Sequence, residues 1–86
     1  MHAVARIGDP ISHGGSILSG SDRHEANGRG IARVGDRALC EQHGEVTITS
    51  GCPTWEIGGR RVARVGSVCS CGAVVTAGSP TVFAAT

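Results

Sequence analysis

Val4-Ala5-Arg6-Ile7-Gly8-Asp9, Ile31-Ala32-Arg33-Val34-Gly35-Asp36 and Val62-Ala63-Arg64-Val65-Gly66-Ser67 are three near-copies of one hexapeptide. Their glycines, Gly8, Gly35 and Gly66, are separated by 27 and then 31 residues. A second motif alternates with the first: Gly20-Ser21-Asp22-Arg23, Gly51-Cys52-Pro53-Thr54 and Gly78-Ser79-Pro80-Thr81, at intervals of 31 and then 27. Self-similarity at a near-constant period marks a repeat architecture. The reversed order of the intervals places the four additional residues between Gly35 and Gly51, around Cys40-Glu41-Gln42-His43. The chain thus reads as a body with approximate threefold internal symmetry and one decorated repeat.

Within each repeat the pattern is that of short strands and tight turns. Asn27-Gly28 and Gly58-Gly59 are two-residue hairpin signals, because a type I′ turn needs positive φ at both central positions. Val46-Thr47-Ile48-Thr49 and Ala73-Val74-Val75-Thr76 are rich in β-branched residues, as strands are. No window between the Gly and Pro breaks carries a helical period of useful length. The expectation is an all-β, pseudo-threefold array of short β-hairpins. It forms a single domain over residues 1–86, with no linker or second domain.

Composition sets the physical problem such a fold must solve. The chain has 86 residues, 14 of them Gly, and its aromatics are Trp55 and Phe83 alone. A domain of this size buries only about 60 to 65% of the surface of its unfolded chain, so something besides a large core must hold it together. Eight Arg, no Lys and seven acids leave a formal net charge of +1, which provides no basic field for nucleic acid. No apolar run approaches the ~18 residues of a membrane span, and Met1-His2-Ala3-Val4-Ala5-Arg6 does not resemble a signal peptide. Four Cys in a chain made in a reducing compartment favour metal ligation or free thiols over disulfides.

His13-Gly14, His43-Gly44 and Cys71-Gly72 occupy the same station in the three repeats. In a threefold body, equivalent stations surround the axis, so these side chains can meet at one point. Zn²⁺ takes four ligands tetrahedrally from Cys thiolate and His nitrogen, so symmetry supplies three and the fourth must break it. The candidates are His24, Cys40 and Cys69. Cys40 forms a Cys-x-x-His pair with His43, and Cys69 shares a face with Cys71 if that stretch is extended. His24 stands where the sister repeats have Trp55 and Val82, an inward position by the alternation.

Other chemistry finds little support. A Cys-His pair invites a nucleophile reading, but so short a chain cannot readily wall a substrate pocket of a few hundred Å³. Asp9 and Asp36 recur beside turns, where an Asp usually bonds local backbone. Arg6, Arg33 and Arg64 read as structural guanidinium groups holding carbonyls or the adjacent acid. There is no phosphate-binding loop, which would need a Lys.

The repeated Ala-Arg-(Ile/Val)-Gly-(Asp/Ser), the Gly-Ser-Pro-Thr signature, Cys40-x-x-His43-Gly44 and Ser70-Cys71-Gly72 together resemble the PAAR-repeat proteins of type VI secretion systems. The resemblance covers essentially the whole chain. It implies a small cone of β-hairpins with one Zn²⁺ near its apex, seated on the blunt end of a trimeric VgrG spike and sharpening it for envelope puncture. In that family three His and one Cys hold the metal. Carried over, the set is His13, His24, His43 and Cys71, with Cys40 as the alternative thiolate. The name-giving Pro-Ala-Ala-Arg is here Ala3-Val4-Ala5-Arg6 and its sisters, and Ser67 replaces the third Asp.

The resemblance further implies a non-enzymatic tip, monomeric on its own and without stable membrane insertion, and the stop at Thr86 reads as a tip without an effector extension, able to recruit effector cargo only by non-covalent contact. It would be assembled in the cytoplasm and exported through the secretion apparatus without a signal peptide. The alternatives are the tip of a contractile phage-like tail and, in a different class, a small zinc- or thiol-dependent enzyme or redox module.

Overall fold

The computed structural model describes residues 1–85; Thr86, the last residue of the expected 1–86 domain, lies outside the described residues. Among the described residues nine short strands follow in order: β1 (His2–Ala3), β2 (Gly15–Ile17), β3 (Glu25–Ala26), β4 (Arg29–Gly30), β5 (Arg37–Cys40), β6 (Gly44–Thr47), β7 (Glu56–Ile57), β8 (Arg60–Arg61) and β9 (Phe83–Ala84). All pairings are antiparallel, and no helix occurs among the described residues. The all-β expectation is met.

The turn signals act as their chemistry requires. β3 and β4 are joined by Asn27 (φ 56°) and Gly28 (φ 78°), and β7 and β8 by Gly58 (φ 62°) and Gly59 (φ 80°). The third copy of this hairpin is assembled from the two chain ends: β9 pairs with β1, His2 opposite Ala84 and Ala3 opposite Phe83.

Pseudo-threefold symmetry is written in the backbone hydrogen bonds. Ala5 N–H donates to the Ala63 carbonyl, Ala63 to Ala32 and Ala32 to Ala5, each at 2.9 Å, closing a ring. All three alanines are fully buried, and their small side chains let three backbones approach one axis. The same threefold recurrence appears where Ile31, Val62 and Val4 donate to the carbonyls of His24, Trp55 and Val82.

The ring divides the core. On one side lie Ile11, Ile17, Ala38, Cys40, Ile48, Cys69, Ala73 and Val75. On the other lie Val4, Ala26, Ile31, Cys52, Ile57, Val62 and Ala84, with Trp55 and Val82 packed against them. The body measures 29 × 23 × 22 Å. Its larger apolar side chains are spread over two thin layers rather than gathered in one core.

The decorated repeat is built differently from its reading in sequence. One-turn hydrogen bonds close at Gly14 N–H to Ile11, His43 N–H to Cys40 and Gly72 N–H to Cys69. Ile11 and Cys69 follow Asp9 and Ser67 by two residues, whereas Cys40 follows Asp36 by four. The four extra residues therefore divide two and two between β5 and β6, lengthening that hairpin by roughly 6 to 7 Å. An added pair preserves the side-chain alternation, so inward residues stay inward. Ala73–Thr76 in the unextended third repeat makes only isolated bridges, Val68 with Val74 and Ile11 with Val75.

Buried acids lock the Ala-Arg stations. Asp9 accepts the Arg6 backbone N–H at 2.7 Å and binds the guanidinium groups of Arg6 and Arg29 at 2.9 and 3.3 Å. Asp36 does the same with Arg33 N–H at 2.7 Å and with Arg33 and Arg60, each at 3.0 Å. In the third copy Ser67 Oγ accepts the Arg64 N–H at 2.9 Å. The register that puts Arg29 and Arg60 two residues before Ile31 and Val62 puts His2 before Val4. Acid and outer arginine are thus replaced together.

Candidate metal centre

Three turns converge beyond the Ile17–Ile48–Val75 layer. His13 sits in the turn before β2, Cys40 ends β5, His43 closes the β5–β6 loop, and Cys71 lies in the turn after the Ile48–Cys69 bridge. Positive φ at Gly14 (80°), Gly44 (82°) and Gly72 (91°) reverses the chain directly after His13, His43 and Cys71.

The four donor atoms of His13, Cys40, His43 and Cys71 all lie within 4.8 Å of one another. Cys40 Sγ is 3.3 Å from His43 Nδ1 and 3.6 Å from His13 Nδ1, and Cys71 Sγ is 3.7 Å from His13 Nδ1. The two imidazole rings are 5.5 Å apart at their centroids. Zinc bonds of about 2.3 Å to sulfur and 2.0 to 2.1 Å to nitrogen give a tetrahedral S···N edge of about 3.6 Å. The observed separations match that edge, so the donor set fits a tetrahedral cation.

The electrostatics fit as well. Burial pushes the Cys40 thiol up, but hydrogen bonds from His43, the Gln42 backbone and His13 outweigh it and bring the pKa down to about 6. Thiolate is the form that ligates metal. Cys69 lies beside the cluster but below it, fully buried, its thiol pushed up by burial and by the nearby Cys71 and Cys40.

The structure departs from the expected ligand set at His24. That residue lies across the alanine ring from the cluster, at the station of Trp55 and Val82, and its side chain is exposed beside Asp22 and Arg23. The station is inward for Trp55 and Val82, which pack on the lower core. Imidazole there turns to water, because a buried unpartnered polar group is costly. Cys40 stands with His13, His43 and Cys71 instead, lifted to their level by the lengthened hairpin. The signal was the even division of the insertion, invisible without the hydrogen bonds that fix the turns.

A family model for the PAAR motif matches residues 7–77 of the 86. The chain belongs to the PAAR-motif family. Comparison with curated proteins gave no match. PAAR proteins are structural spike tips of type VI or phage-like machines. In this PAAR protein the match spans all four donors of the cluster and two of the three Ala-Arg-(Ile/Val)-Gly motifs in full. Two His and two Cys, rather than three His and one Cys, form the donor set at its converging turns.

Proposed function

We propose that this PAAR protein is a non-enzymatic spike tip that caps a trimeric VgrG spike and holds one Zn²⁺ through His13, Cys40, His43 and Cys71. The observation that carries the reading is the four-donor cluster at one end of a body closed by a threefold ring of backbone bonds. A threefold partner matches such a body end-on. The opposite end, with the three hairpins β3–β4, β7–β8 and β9–β1, is the face offered to the spike.

A bound cation supplies a cross-link where the apolar contacts are few: it ties the His13 turn, the β5–β6 hairpin and the Cys71 turn to one point. Binding free energy at such a site becomes folding free energy. Four protein donors leave no open coordination position, the arrangement of structural rather than catalytic zinc. The tip is assembled in the cytoplasm and leaves with the spike.

Co-expression with candidate spike trimers, followed by size exclusion and metal analysis, tests the reading. One equivalent of zinc and a complex of one tip per trimer are expected. A protein that carries no metal and joins no trimer refutes it. A trimer from a phage-like tail as the sole partner reassigns the tip to that machine.

A further inference from the structure

The donor set holds two thiols, and two thiols have a chemistry that one lacks. We propose that Cys40 and Cys71 are an oxidation-closable pair, which a hydroperoxide converts to a disulfide, removing half of the donor set at the converging turns. The consequence for a bound cation rests on the reading above, whereas the sulfur bond rests on the geometry alone.

Both sulfur atoms flank the same nitrogen, His13 Nδ1, at 3.6 and 3.7 Å, and they lie within 4.8 Å of each other. They come from different elements, the end of β5 and the turn closed by Gly72 N–H on the Cys69 carbonyl. Closing the bond therefore requires side-chain rotation, not the strained ring of a Cys-x-Cys pair. Exposure ranks the thiols. Cys71 is half-buried beside the exposed His43, whereas Cys40, Cys52 and Cys69 are each no more than 2% exposed. A small oxidant meets Cys71 first and finds Cys40 behind it.

The steps balance. The Cys71 thiolate attacks one oxygen of a hydroperoxide and becomes a sulfenic acid, and the peroxide's other oxygen leaves and is protonated to water or an alcohol. The Cys40 thiolate then attacks the Cys71 sulfur, forming the S–S bond and expelling hydroxide, which takes a proton to become water. Two electrons pass from the two sulfurs to the peroxide. A disulfide sulfur is a far poorer ligand than a thiolate, so only His13 and His43 remain to hold a cation.

The other cysteines are placed differently. Cys52 lies across the alanine ring with its Sγ 3.3 Å from Thr54 Oγ1. Cys69 is packed in the upper core with Ile48 and Val75. The pair is thus specific in space as well as in exposure.

Protein of known zinc content is treated with hydrogen peroxide, and zinc release, free thiols and disulfide-linked tryptic peptides are followed together. Loss of two of the four thiols is expected, with a link between peptides 38–60 and 65–86, one zinc released per link, and full reversal by dithiothreitol. A Cys52→Ser/Cys69→Ala variant retains the link and Cys71→Ser loses it. Four surviving thiols, a Cys69–Cys71 link, or zinc loss with sulfinic acid and no cross-link overturns the proposal. If the protein binds no zinc, the zinc assignment of the tip reading fails, but the same peptide link still decides the dithiol.

Discussion

Replacing Asp36 with Ser converts the second Ala-Arg station into the third, and the structure predicts what this costs. Asp36 is almost fully buried, with Oδ2 accepting from the Arg33 backbone N–H and Nε, and Oδ1 from Arg60. Serine keeps an acceptor for the backbone N–H, as Ser67 does for Arg64, but gives up both guanidinium groups. The Arg60 side chain is 40% exposed, so that pair contributes only about 0.5 to 1 kcal/mol. The Arg33 side chain is 18% exposed, and its charge-assisted bonds contribute about 1.5 to 2 kcal/mol. The sum of about 2 to 3 kcal/mol lowers Tm by about 10 to 20 °C in a chain of this length. Because Arg60 loses its partner in Asp36→Ser, adding Arg60→His costs less in the double variant than alone. The expected coupling is about 0.5 to 1 kcal/mol. Scanning calorimetry of the four proteins at saturating metal reads both quantities. A Tm drop below about 3 °C for Asp36→Ser, or strict additivity, refutes the claim that acid and outer arginine form one unit.

Chelation is expected to lower Tm by more than about 10 °C, since metal binding at such sites is folding free energy; an unchanged melting curve counts against a structural cation. Cys40→Ala weakens zinc by at least about tenfold in a competition titration while His24→Ala leaves it unchanged, because only Cys40 stands in the cluster. The opposite ranking would restore His24 as a ligand. Gly15→Ala is severely destabilising, by about 3 kcal/mol or more, because a Cβ would overlap the Leu39 carbonyl oxygen at φ +89°. Gly59→Ala meets open space and costs only about 1 kcal/mol for its positive φ; thermal melts compare the two. Burial pushes the Asp36 carboxyl up, but Arg33 hydrogen bonds and the Arg33 and Arg60 charges hold it below the usual carboxylate range. Its contribution is therefore present above the unfolded carboxyl pKa of about 4 and fades as pH falls through the lower folded value. The acid limb of a stability–pH curve should flatten in Asp36→Ser.

The fold was legible because its determinants are local and repeated. Asn27-Gly28 and Gly58-Gly59 specify a turn type by backbone sterics alone, and the triplicated Ala-Arg motif announces its own equivalence. Ala5, Ala32 and Ala63 recur in sequence because one ring of hydrogen bonds needs a small residue three times. Three members of the donor cluster were legible because His13, His43 and Cys71 each precede a glycine, although the turn hydrogen bonds put Gln42, one residue before His43, opposite His13 and Cys71. Cys40 stayed one candidate among three because its place depends on how an insertion divides between two strands, and composition does not encode that division. His24 misled because a shared station fixes backbone position, not side-chain direction. Trp55 and Val82 gain by turning inward there, and imidazole gains by turning to water.

The two halves of the molecule are stabilised by different means, and the division follows from width. Below the alanine ring, three hairpins present Ile, Val and Trp side chains to one another, and the Arg–Asp locks brace the rim. Above it, the layer runs from Ile17, Ile48 and Val75 to Cys69 and Cys40, and then only turns remain. Three turns cannot bury enough apolar surface to order themselves, at about 25 cal/mol per Å² against the conformational entropy of each residue. Four converging donors substitute a few strong bonds for many weak contacts. The repeat that breaks the threefold pattern is the one that completes the set: the lengthened β5–β6 hairpin supplies both Cys40 and His43, while each sister turn supplies one donor. Removing two residues from each strand of that hairpin would restore the symmetry of the fold and abolish the fourth donor. Such a variant should melt like the chelated protein whether or not metal is added.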